Sequence, residues 1–410
     1  MTGQTKGKTK RPTHPSGATP RVMVPALLDW FAASARDLPW RRTRDPYATW
    51  VSEIMLQQTQ VKTVIPYWER WMRELPTIES LAGATPETIH KLWEGLGYYT
   101  RVRNMQKAAQ HLCANHGGRF PDQFDAILAL PGIGRYTAGA IASIAFNQPA
   151  PILDGNVIRV LARLHGIADD PQEKKTNARL WQLAEELIVA AAQTTQHATR
   201  NTEKGIKSKI TIKIKRPQSD LAPEVPQPAP FPCSALNQSL MELGALICTP
   251  RAPDCATCPI AMHCVAFRDD RVAELPRPRQ RAAVTERRFI TFVIEHNGRF
   301  LVRQRRAGVV NAHLWEFPNW EANGNDSVAA IARTHFNGSH RPLVKLCVVK
   351  HSITRYRNST EAYLLRPGPD PFQTAELAGE WRTLVQLGEL AFTSAHRRIA
   401  TQLEKMLASA

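Results

Sequence analysis

The sequence lacks a long hydrophobic run. Its longest apolar stretch, residues 138–146, spans nine positions, whereas a membrane-spanning helix needs about 20, so a transmembrane helix is excluded. Apolar residues are otherwise plentiful: 43% of the 410 residues are hydrophobic and 22% are charged, as in ordinary globular proteins. Those proportions exclude a chain that is disordered throughout, a collagen and a coiled coil. The length predicts two or three domains.

Acidic residues are scarce relative to basic ones. The chain has 36 Asp and Glu against 53 Lys and Arg, which gives a formal net charge of +17. Such an excess attracts polyanions. Nucleic acid is the first candidate partner and an anionic membrane surface is the second. A basic protein with neither partner is the third interpretation, and charge alone does not separate the three.

Cysteine is also infrequent, with seven residues, and no apolar leader follows Met1. We therefore expect a reducing compartment, cytoplasmic (nucleoid-associated) or nuclear, rather than secretion. Four cysteines are clustered, with six, two and five residues between them: Cys248, Cys255, Cys258 and Cys264. Such clusters bind zinc or an iron–sulfur cluster. Zinc loops usually contain two Cys-x-x-Cys pairs and this segment has one, which favours the iron–sulfur cluster.

The first two thirds of the chain have helical periodicity. Apolar spacings of three and four run from Val22 to about Ala192, with Gly and Pro at the breaks, and predict an all-α domain over residues 21–267. Residues 1–20 are predicted to be a disordered basic tail. Residues 193–232 are predicted to be an inserted, mostly unstructured segment, basic and then proline-rich. Three interpretations of that insertion are open, an additional DNA-binding segment, a binding site for a partner protein and a solvated spacer, and we favour the spacer.

Strand alternation begins after an Arg-rich linker, residues 268–287. Asn297-Gly298 predicts a hairpin turn between two strands. The further predicted elements are strands over 288–295, 300–304, 343–350 and 361–365 and helices over 328–336 and 394–407. Residues 288–410 therefore predict a separate α+β domain.

Gly132, Ile133 and Gly134 form a turn signal between two helical segments. Glycine lets the backbone approach an anion, which then faces the N–H groups of the turn and of the next helix N-terminus. This pattern predicts a helix–hairpin–helix that binds a DNA phosphate. A plain turn between packed helices is the alternative.

Two carboxylates are distinguished by their neighbours. Glu53 lies in a helical segment that is otherwise apolar or amide-containing. A solvated Glu is the default interpretation, but partial burial would raise its pKa. Asp154 directly precedes a predicted helix. It either caps that helix or takes part in chemistry, and the sequence leaves both open.

Taken together, these segments resemble the MutY family of adenine DNA glycosylases, within the endonuclease III superfamily. The resemblance covers residues 22–410 apart from the insertion. The motifs occur in family order: Leu38-Pro39-Trp40-Arg41, residues 52–61, Gly95-Leu96-Gly97-Tyr98-Tyr99, the hairpin, Asp154-Gly155-Asn156-Val157 and the four cysteines. The resemblance implies a multi-domain fold: an all-α helix–hairpin–helix glycosylase domain with an iron–sulfur loop, then a C-terminal α+β Nudix-like domain. It also implies a [4Fe–4S] cluster on the four cysteines.

The family removes adenine mispaired with 8-oxoguanine or guanine in double-stranded DNA, so the resemblance implies this partner, with no membrane association and a monomeric protein. Glu53 resembles the general acid that protonates adenine N7. Asp154 resembles the carboxylate that stabilises the sugar oxocarbenium, and beside a helix N-terminus we expect it to stay ionised. Tyr136 and Asn156 resemble residues that support this site. Tyr rather than Lys at position 136 implies a monofunctional glycosylase without an efficient lyase step.

The remaining site positions are also implied by the resemblance. The adenine pocket corresponds to Trp40, Arg41 and Gln238, and residues that wedge into the duplex correspond to Gln58 and Tyr98. Core packing is the alternative for Trp40 and Tyr98. The family's Phe-Ser-His loop against 8-oxoguanine corresponds to Ile353-Thr354-Arg355. The hydroxyl is retained but the aromatic ring and the imidazole are not. The residues assigned to lesion reading are Ser352, Thr354 and Arg355.

The C-terminal domain departs from an active Nudix enzyme. Residues 314–318 match the Nudix pattern, but residues 328–333 lack the carboxylates that would hold Mg²⁺. We therefore expect it to read DNA rather than hydrolyse nucleotides. Two rival functions stay open, a mismatch thymine or uracil glycosylase of the same superfamily and a non-catalytic, cluster-bearing DNA-binding protein. A Nudix hydrolase is least favoured.

Overall fold

The computed structural model describes most of the chain as two compact units. The described residues are 19–205, 231–277, 283–323, 326–336, 342–353, 355–366 and 379–409, with backbone alone for 194–205 and 353. Residues up to 57 and 119–279 form the first unit, and residues 58–118 and 280–410 form the second. The predicted tail before residue 19, the remainder of the insertion at 206–230 and Thr354 lie outside the described residues.

Helices dominate the chain up to residue 268. In chain order the helices are α1 (Pro20–Ser34), α2 (Pro46–Leu56), α3 (Val61–Glu74), α4 (Ile78–Gly83), α5 (Pro86–Trp93), α6 (Thr100–His116), α7 (Phe124–Leu128), α8 (Arg135–Ile144), α9 (Gly155–Leu164), α10 (Lys174–Gly205), α11 (Pro232–Leu246), α12 (Val265–Arg268), α13 (Val328–His335), α14 (Leu384–Glu389) and α15 (Ser394–Ala408). Short 3-10 turns lie at Pro39–Arg41 and Ala261–His263. The predicted all-α character is therefore confirmed.

Local sequence signals explain several helix ends. Asp45 caps α2 through the backbone N–H of Tyr47 and is followed by a proline at the first helical position. The predicted helical periodicity is interrupted between α2 and α3, where Gln58 adopts φ +58°. The insertion also begins later than predicted: residues 193–205, expected to be unstructured, continue α10.

An apolar core in the first unit is formed mainly by helices. It is built by the buried faces of α1, α9, α10 and α11, with members such as Leu27, Leu161, Leu187 and Leu240. In the second unit, Trp71 of α3 and Trp93 of α5 pack edge to face, with ring centroids 5.6 Å apart. None of the helices in the described parts of the chain is long and apolar enough to cross a bilayer.

The C-terminal part of the second unit is built on a sheet. Its strands are β1 (Thr285–His296), β2 (Arg299–Gln304), β3 (Trp315–Glu316), β4 (Asn319–Ala322), β5 (Val344–Ile353), β6 (Tyr356–Leu365) and β7 (Glu380–Thr383). The strand order is β3-β2-β1-β6-β5, β4 also pairs with β1, and β7 with β2. β1 and β6 are parallel, whereas the other paired strands are antiparallel. The predicted α+β fold is confirmed.

The predicted hairpin at Asn297-Gly298 is confirmed. Both residues have positive φ, +49° and +70°, as a type I′ turn requires, and His296 pairs with Arg299 across the turn. The strands extend beyond the predictions, since β1 begins at Thr285 and β6 at Tyr356. α13 contains no Asp or Glu.

Candidate active site

Glu53 is a buried carboxylic acid. It lies on α2 with 5% of its surface exposed, and its Oε2 accepts a 2.6 Å hydrogen bond from the Tyr136 hydroxyl. Burial raises the pKa of Glu53 to about 7. The Tyr136 hydrogen bond lowers that pKa, the negative charge of Asp154 raises it, and the positive charge of Arg41 lowers it. A solvated Glu53, the default interpretation from the sequence, is therefore wrong, and the alternative of burial is correct.

Asp154 is both a helix cap and a neighbour of Glu53. Its Oδ1 accepts hydrogen bonds from the backbone N–H groups of Asn156 (3.0 Å) and Val157 (2.8 Å) at the start of α9, and its Oδ2 accepts one from the Asn156 amide (3.1 Å). Burial nevertheless raises the pKa of Asp154, against these hydrogen bonds and the charge of Arg159. The helix terminus therefore reduces the effect of burial without cancelling it.

The two carboxylates have different surroundings. Glu53 accepts one side-chain hydrogen bond at Oε2, whereas three hydrogen bonds stabilise the Asp154 anion. Hydrogen bonds to a carboxylate favour its ionised form, and burial favours the protonated form. The arrangement therefore combines a group that can hold a proton near neutral pH with a group whose ionised form is stabilised by three hydrogen bonds against burial.

Asn156 connects this site to the cysteine segment. Its Oδ1 accepts a 2.8 Å hydrogen bond from Nη2 of Arg159, whose Nε donates to the Cys248 carbonyl at 2.7 Å. Arg159 also donates to the Gly244 carbonyl on α11. A Cβ at Gly244 would lie 2.6 Å from Cβ of Asn156, so only glycine allows this close approach.

The hairpin residues form the turn between α7 and α8. Gly132 has φ +74°, which favours glycine, whereas Gly134 is extended at the start of α8. Ile133 is buried between the two exposed glycines. In the first turn of α8, the Tyr136 hydroxyl donates to Glu53, so the predicted turn positions a site residue.

Two of the three residues assigned to the adenine pocket involve α11, since Gln238 lies on this helix and Arg41 binds its Glu242. Trp40 is buried, and Nε2 of Gln238 donates to Oγ of Ser234 at 3.1 Å. Nη2 of Arg41 forms an ion pair with Oε2 of Glu242 at 2.9 Å. The burial of Trp40 agrees with core packing, the alternative interpretation from the sequence.

Two functional candidates were missed from the sequence. Glu242 is 1% exposed and also binds Arg36, which donates to Oε1 from its backbone N (3.0 Å) and Nε (2.7 Å) and to Oε2 from Nη2 (2.7 Å). An acidic residue within the apolar pattern of α11, four positions after Gln238, is the one signal that could have drawn attention to it.

Gln58 and Tyr98 belong to the second unit. Both have positive φ, +58° and +47°. Gln58 is exposed, and half of the Tyr98 surface is exposed. Core packing, the alternative interpretation of Tyr98, is therefore wrong. The backbone projects a large aromatic ring into solvent instead.

The predicted lesion-reading residues lie at the β5–β6 connection. Ser352 and Arg355 are exposed. Nη2 of Arg355 donates to the Tyr356 hydroxyl at 3.1 Å, and its guanidinium lies 5.1 Å from that ring centroid. The Arg287 guanidinium lies 5.3 Å from the same centroid. Tyr356 therefore lies within reach of two cations at this connection.

The four clustered cysteines are half-buried free thiols. Cys248, Cys258 and Cys264 pack against the core of the first unit, and the Cys258 thiol interacts electrostatically with the other three. Arg163 donates from Nη1 to Sγ of Cys248 at 3.3 Å. In the described part of the chain, no three His, Cys, Asp or Glu residues converge closely enough to hold a single metal ion.

Comparison with known families divides the chain in two. Residues 51–186 match the HhH-GPD superfamily of base excision DNA repair proteins, and residues 290–402 match the NUDIX domain family. The first match contains Glu53, the hairpin and Asp154. The second contains most of the sheet. Both agree with the predicted order of a helix–hairpin–helix domain and a Nudix-like domain.

Curated proteins similar to the chain over most of its length are named adenine DNA glycosylases. The protein from Rattus norvegicus is 32% identical over 433 residues, covering 91% of this chain and 76% of the relative. The protein from Homo sapiens is 31% identical over 437 residues, covering 91% and 72%. The protein from Buchnera aphidicola subsp. Schizaphis graminum is 33% identical over 301 residues, covering 73% and 75%.

Proposed function

Because the chain belongs to the family of adenine DNA glycosylases, we propose that it hydrolyses the N-glycosidic bond of adenine mispaired with 8-oxoguanine or guanine in double-stranded DNA. The observation that carries this proposal is the pairing of two unlike carboxylates. Burial gives Glu53 a pKa of about 7, and Asp154 is surrounded by hydrogen-bond donors.

Glu53 is the proposed general acid. Adenine is a poor leaving group until a ring nitrogen is protonated, and a carboxylic acid donates a proton efficiently when its pKa lies near the working pH. An ordinary glutamate would be ionised at pH 7. A pKa of about 7 keeps roughly half of the Glu53 side chains protonated at that pH.

Asp154 is the proposed partner of the sugar. Departure of the base leaves positive charge on the deoxyribose, which a fixed anion stabilises without reorganisation. The N–H groups of Asn156 and Val157 hold the Asp154 carboxylate in place. Tyr136 provides no amine for a Schiff base with the sugar, and we therefore propose a monofunctional enzyme that leaves the strand intact.

The target base must leave the stack, which costs a few kcal/mol. We assign Tyr98 and Gln58 to the wedge, because both are exposed on backbone with positive φ. Trp40, Arg41 and Gln238 are the proposed walls of the adenine pocket. The turn from Gly132 to Gly134 is the proposed phosphate contact, since two exposed glycines precede the α8 N-terminus.

A [4Fe–4S] cluster is the proposed resident cofactor. Four half-buried thiols that interact with one another fit a polynuclear cluster. The segment contains one Cys-x-x-Cys pair, whereas zinc loops usually contain two, which favours the cluster over zinc. Cys248, Cys255, Cys258 and Cys264 would hold the cluster, which when bound cross-links the loop. Purified protein is expected to contain iron and acid-labile sulfide, both lost in Cys258→Ser, whereas one zinc ion per chain would contradict this assignment.

Lesion reading is assigned to the β5–β6 connection. Arg355 lies against Tyr356 and is exposed, so it can donate hydrogen bonds to a base edge. Arg355→Ala is expected to reduce the preference for adenine opposite 8-oxoguanine over adenine opposite guanine by about tenfold, measured as a ratio of single-turnover rates. An unchanged ratio would remove Arg355 from this assignment. The exposed Arg357 on β6 provides a control for the loss of one positive charge.

One assay tests the reaction itself. Duplexes with adenine opposite 8-oxoguanine, guanine or cytosine, and a G·T duplex, are incubated with the wild-type protein, Glu53→Gln and Asp154→Asn. We expect release of adenine from the first two duplexes, reduced by about 10²-fold or more in either variant. Release of thymine without adenine would contradict the proposal, as would variants as active as the wild type. Strong borohydride trapping of the wild type on DNA would contradict the monofunctional assignment.

A further inference from the structure

Glu242 is a buried carboxylate to which the proposed reaction assigns no role. It lies on α11 directly after Met241, whose Sδ is 3.3 Å from the Tyr136 hydroxyl. That same hydroxyl donates to Glu53. Glu242 is thus one residue away from a contact to the site, yet its own side chain binds two arginines.

Each oxygen of Glu242 accepts two hydrogen bonds. Oε1 accepts from the backbone N and Nε of Arg36, and Oε2 accepts from Nη2 of Arg36 and Nη2 of Arg41. Nη1 of Arg41 then donates to the Arg36 carbonyl at 3.1 Å. These contacts fix the Arg41 guanidinium from two sides. They also place one negative charge among two positive charges.

The positive charge of Arg41 lowers the pKa of Glu53. The groups that act on the Glu53 carboxyl are Tyr136 on α8, Asp154 at the start of α9 and Arg41 in the turn before α2. Arg41 is the cation among them and favours loss of the Glu53 proton. A carboxylate bound to Arg41 offsets that effect, because opposite charges in contact produce a weaker field at a third group.

We propose that Glu242 is a positioning residue for the reaction, which holds Arg41 and balances its charge so that Glu53 retains its proton at neutral pH. The inference rests on the proposed role of Glu53 as general acid. Among the described residues, Glu242 forms hydrogen bonds and ion pairs with Arg36 and Arg41 and none with Glu53 or Tyr136, so it acts through Arg41. Its pKa is lowered to about 2 by the two arginines against the effect of burial, so it stays ionised throughout the pH range in which Glu53 titrates.

The proposal predicts shifts of opposite sign in the pKa of Glu53 when Glu242 and when Arg36 is replaced. Glu242→Gln removes the balancing negative charge, so the pKa of Glu53 falls. The loss of rate that accompanies rising pH then begins at a lower pH than in the wild type. Arg36→Gln removes a positive charge and leaves Glu242, so the pKa of Glu53 rises. The loss of rate with rising pH then begins at a higher pH than in the wild type. Because the Arg36 side chain is about one third exposed, the second variant tests the proposal even if the first does not fold.

The experiment measures single-turnover adenine release from pH 5 to 9 for the full chain. In Glu242→Gln we expect the alkaline decline of the rate to begin about one pH unit lower. The rate is then about tenfold below that of the wild type at pH 8 and little changed at pH 5.5. Glu242→Asp keeps the charge and is expected to leave the decline in place. Glu185→Gln, at an exposed glutamate of α10, is the matched control for the same change of charge.

A second readout does not depend on activity. Protein labelled with ¹³C at the glutamate carboxyls has one resonance that is missing in Glu53→Gln and reports the Glu53 titration. We expect its midpoint to fall in Glu242→Gln and rise in Arg36→Gln. Equal midpoints in both variants and the wild type overturn the inference, as does a uniform loss of rate with an unmoved decline. If the wild type releases no adenine, the proposed function fails, and this titration still decides the role of Glu242.

Discussion

The Tyr136 hydroxyl donates a hydrogen bond to Glu53 while carrying a pKa that burial raises well above its ordinary value. The phenol therefore stays protonated and acts as a donor throughout the working pH range. A donor to a carboxylate stabilises the ionised form. Tyr136 thus limits how far burial raises the pKa of Glu53, and this opposition can be tested by removing one oxygen atom.

Tyr136→Phe is expected to move the alkaline decline of adenine release to higher pH. Loss of the hydroxyl removes an interaction that lowers the pKa of Glu53, so Glu53 stays protonated at higher pH, by about one unit. The measurement is the pH profile of the single-turnover rate. A decline that stays at the wild-type pH would show that the hydrogen bond does not control this acid.

Glu53 is expected to make the protein less stable as the pH rises. Its pKa increases from an ordinary 4.5 to about 7 on folding, so the native state binds more protons than the unfolded state between these values. Stability therefore falls from about pH 4.5 to pH 7 and then levels off. At pH 8 the loss for Glu53 is on the order of 3 kcal/mol.

Glu53→Gln should remove this dependence and be more stable than the wild type at pH 8, with a much smaller difference at pH 4. Denaturant unfolding of both proteins at the two pH values measures it. Glu185→Gln, at an exposed glutamate of α10, is the comparison for the same change of charge. A variant that is equally destabilised at both pH values would contradict the assignment.

Arg163 is expected to stabilise the cysteine segment. It is 2% exposed and donates to the carbonyls of Leu275 and Thr249 at 2.8 and 2.7 Å and to Sγ of Cys248. Arg163→Met keeps the length but leaves these buried acceptors without a donor, which should cost about 2–4 kcal/mol of unfolding free energy. The exposed Arg179 provides the control Arg179→Met, and equal stabilities of the two variants would refute the prediction.

Gly139 is expected to be required for the packing of α8 against the segment that precedes Asp154. A Cβ at this position of α8 would lie 2.2 Å from the Pro151 carbonyl oxygen, and a backbone atom cannot move aside as a flexible side chain can. Gly139→Ala should therefore destabilise the protein by about 1–3 kcal/mol. Gly155→Ala is the matched control, because a Cβ there meets nothing within 4 Å. Thermal unfolding of both variants measures the difference, and similar losses would contradict the steric argument.

Patterns within a few residues were read correctly because the interactions behind them are local. The turn at Asn297-Gly298 depends on backbone conformations that few residues adopt. The boundaries of α13 and α15 follow spacings of three and four. The extension of α10 to Gly205 was missed, because a basic, polar composition predicts a linker although the helix propensity of these residues allows a helix to continue.

Residue chemistry in the site was less predictable than residue identity. The sequence marked Glu53 and Asp154, but it gave no measure of how far burial would raise either pKa. Tyr98 had two interpretations, and the exposed ring excluded core packing. Arg36 and Glu242 are separated by 206 positions, so no local pattern could pair them.

The sequence by itself determined the order of elements, the family and the identities of the two carboxylates, because motif spacing and periodicity are properties of the chain. Tertiary structure alone decided that α2, α8, α9 and α11 meet around Glu53. As a result, Tyr136, Asp154 and Arg41 all shift the pKa of this one carboxyl group. Acidity depends on the water excluded and the charges gathered in space, and these are set by residues far apart in the chain.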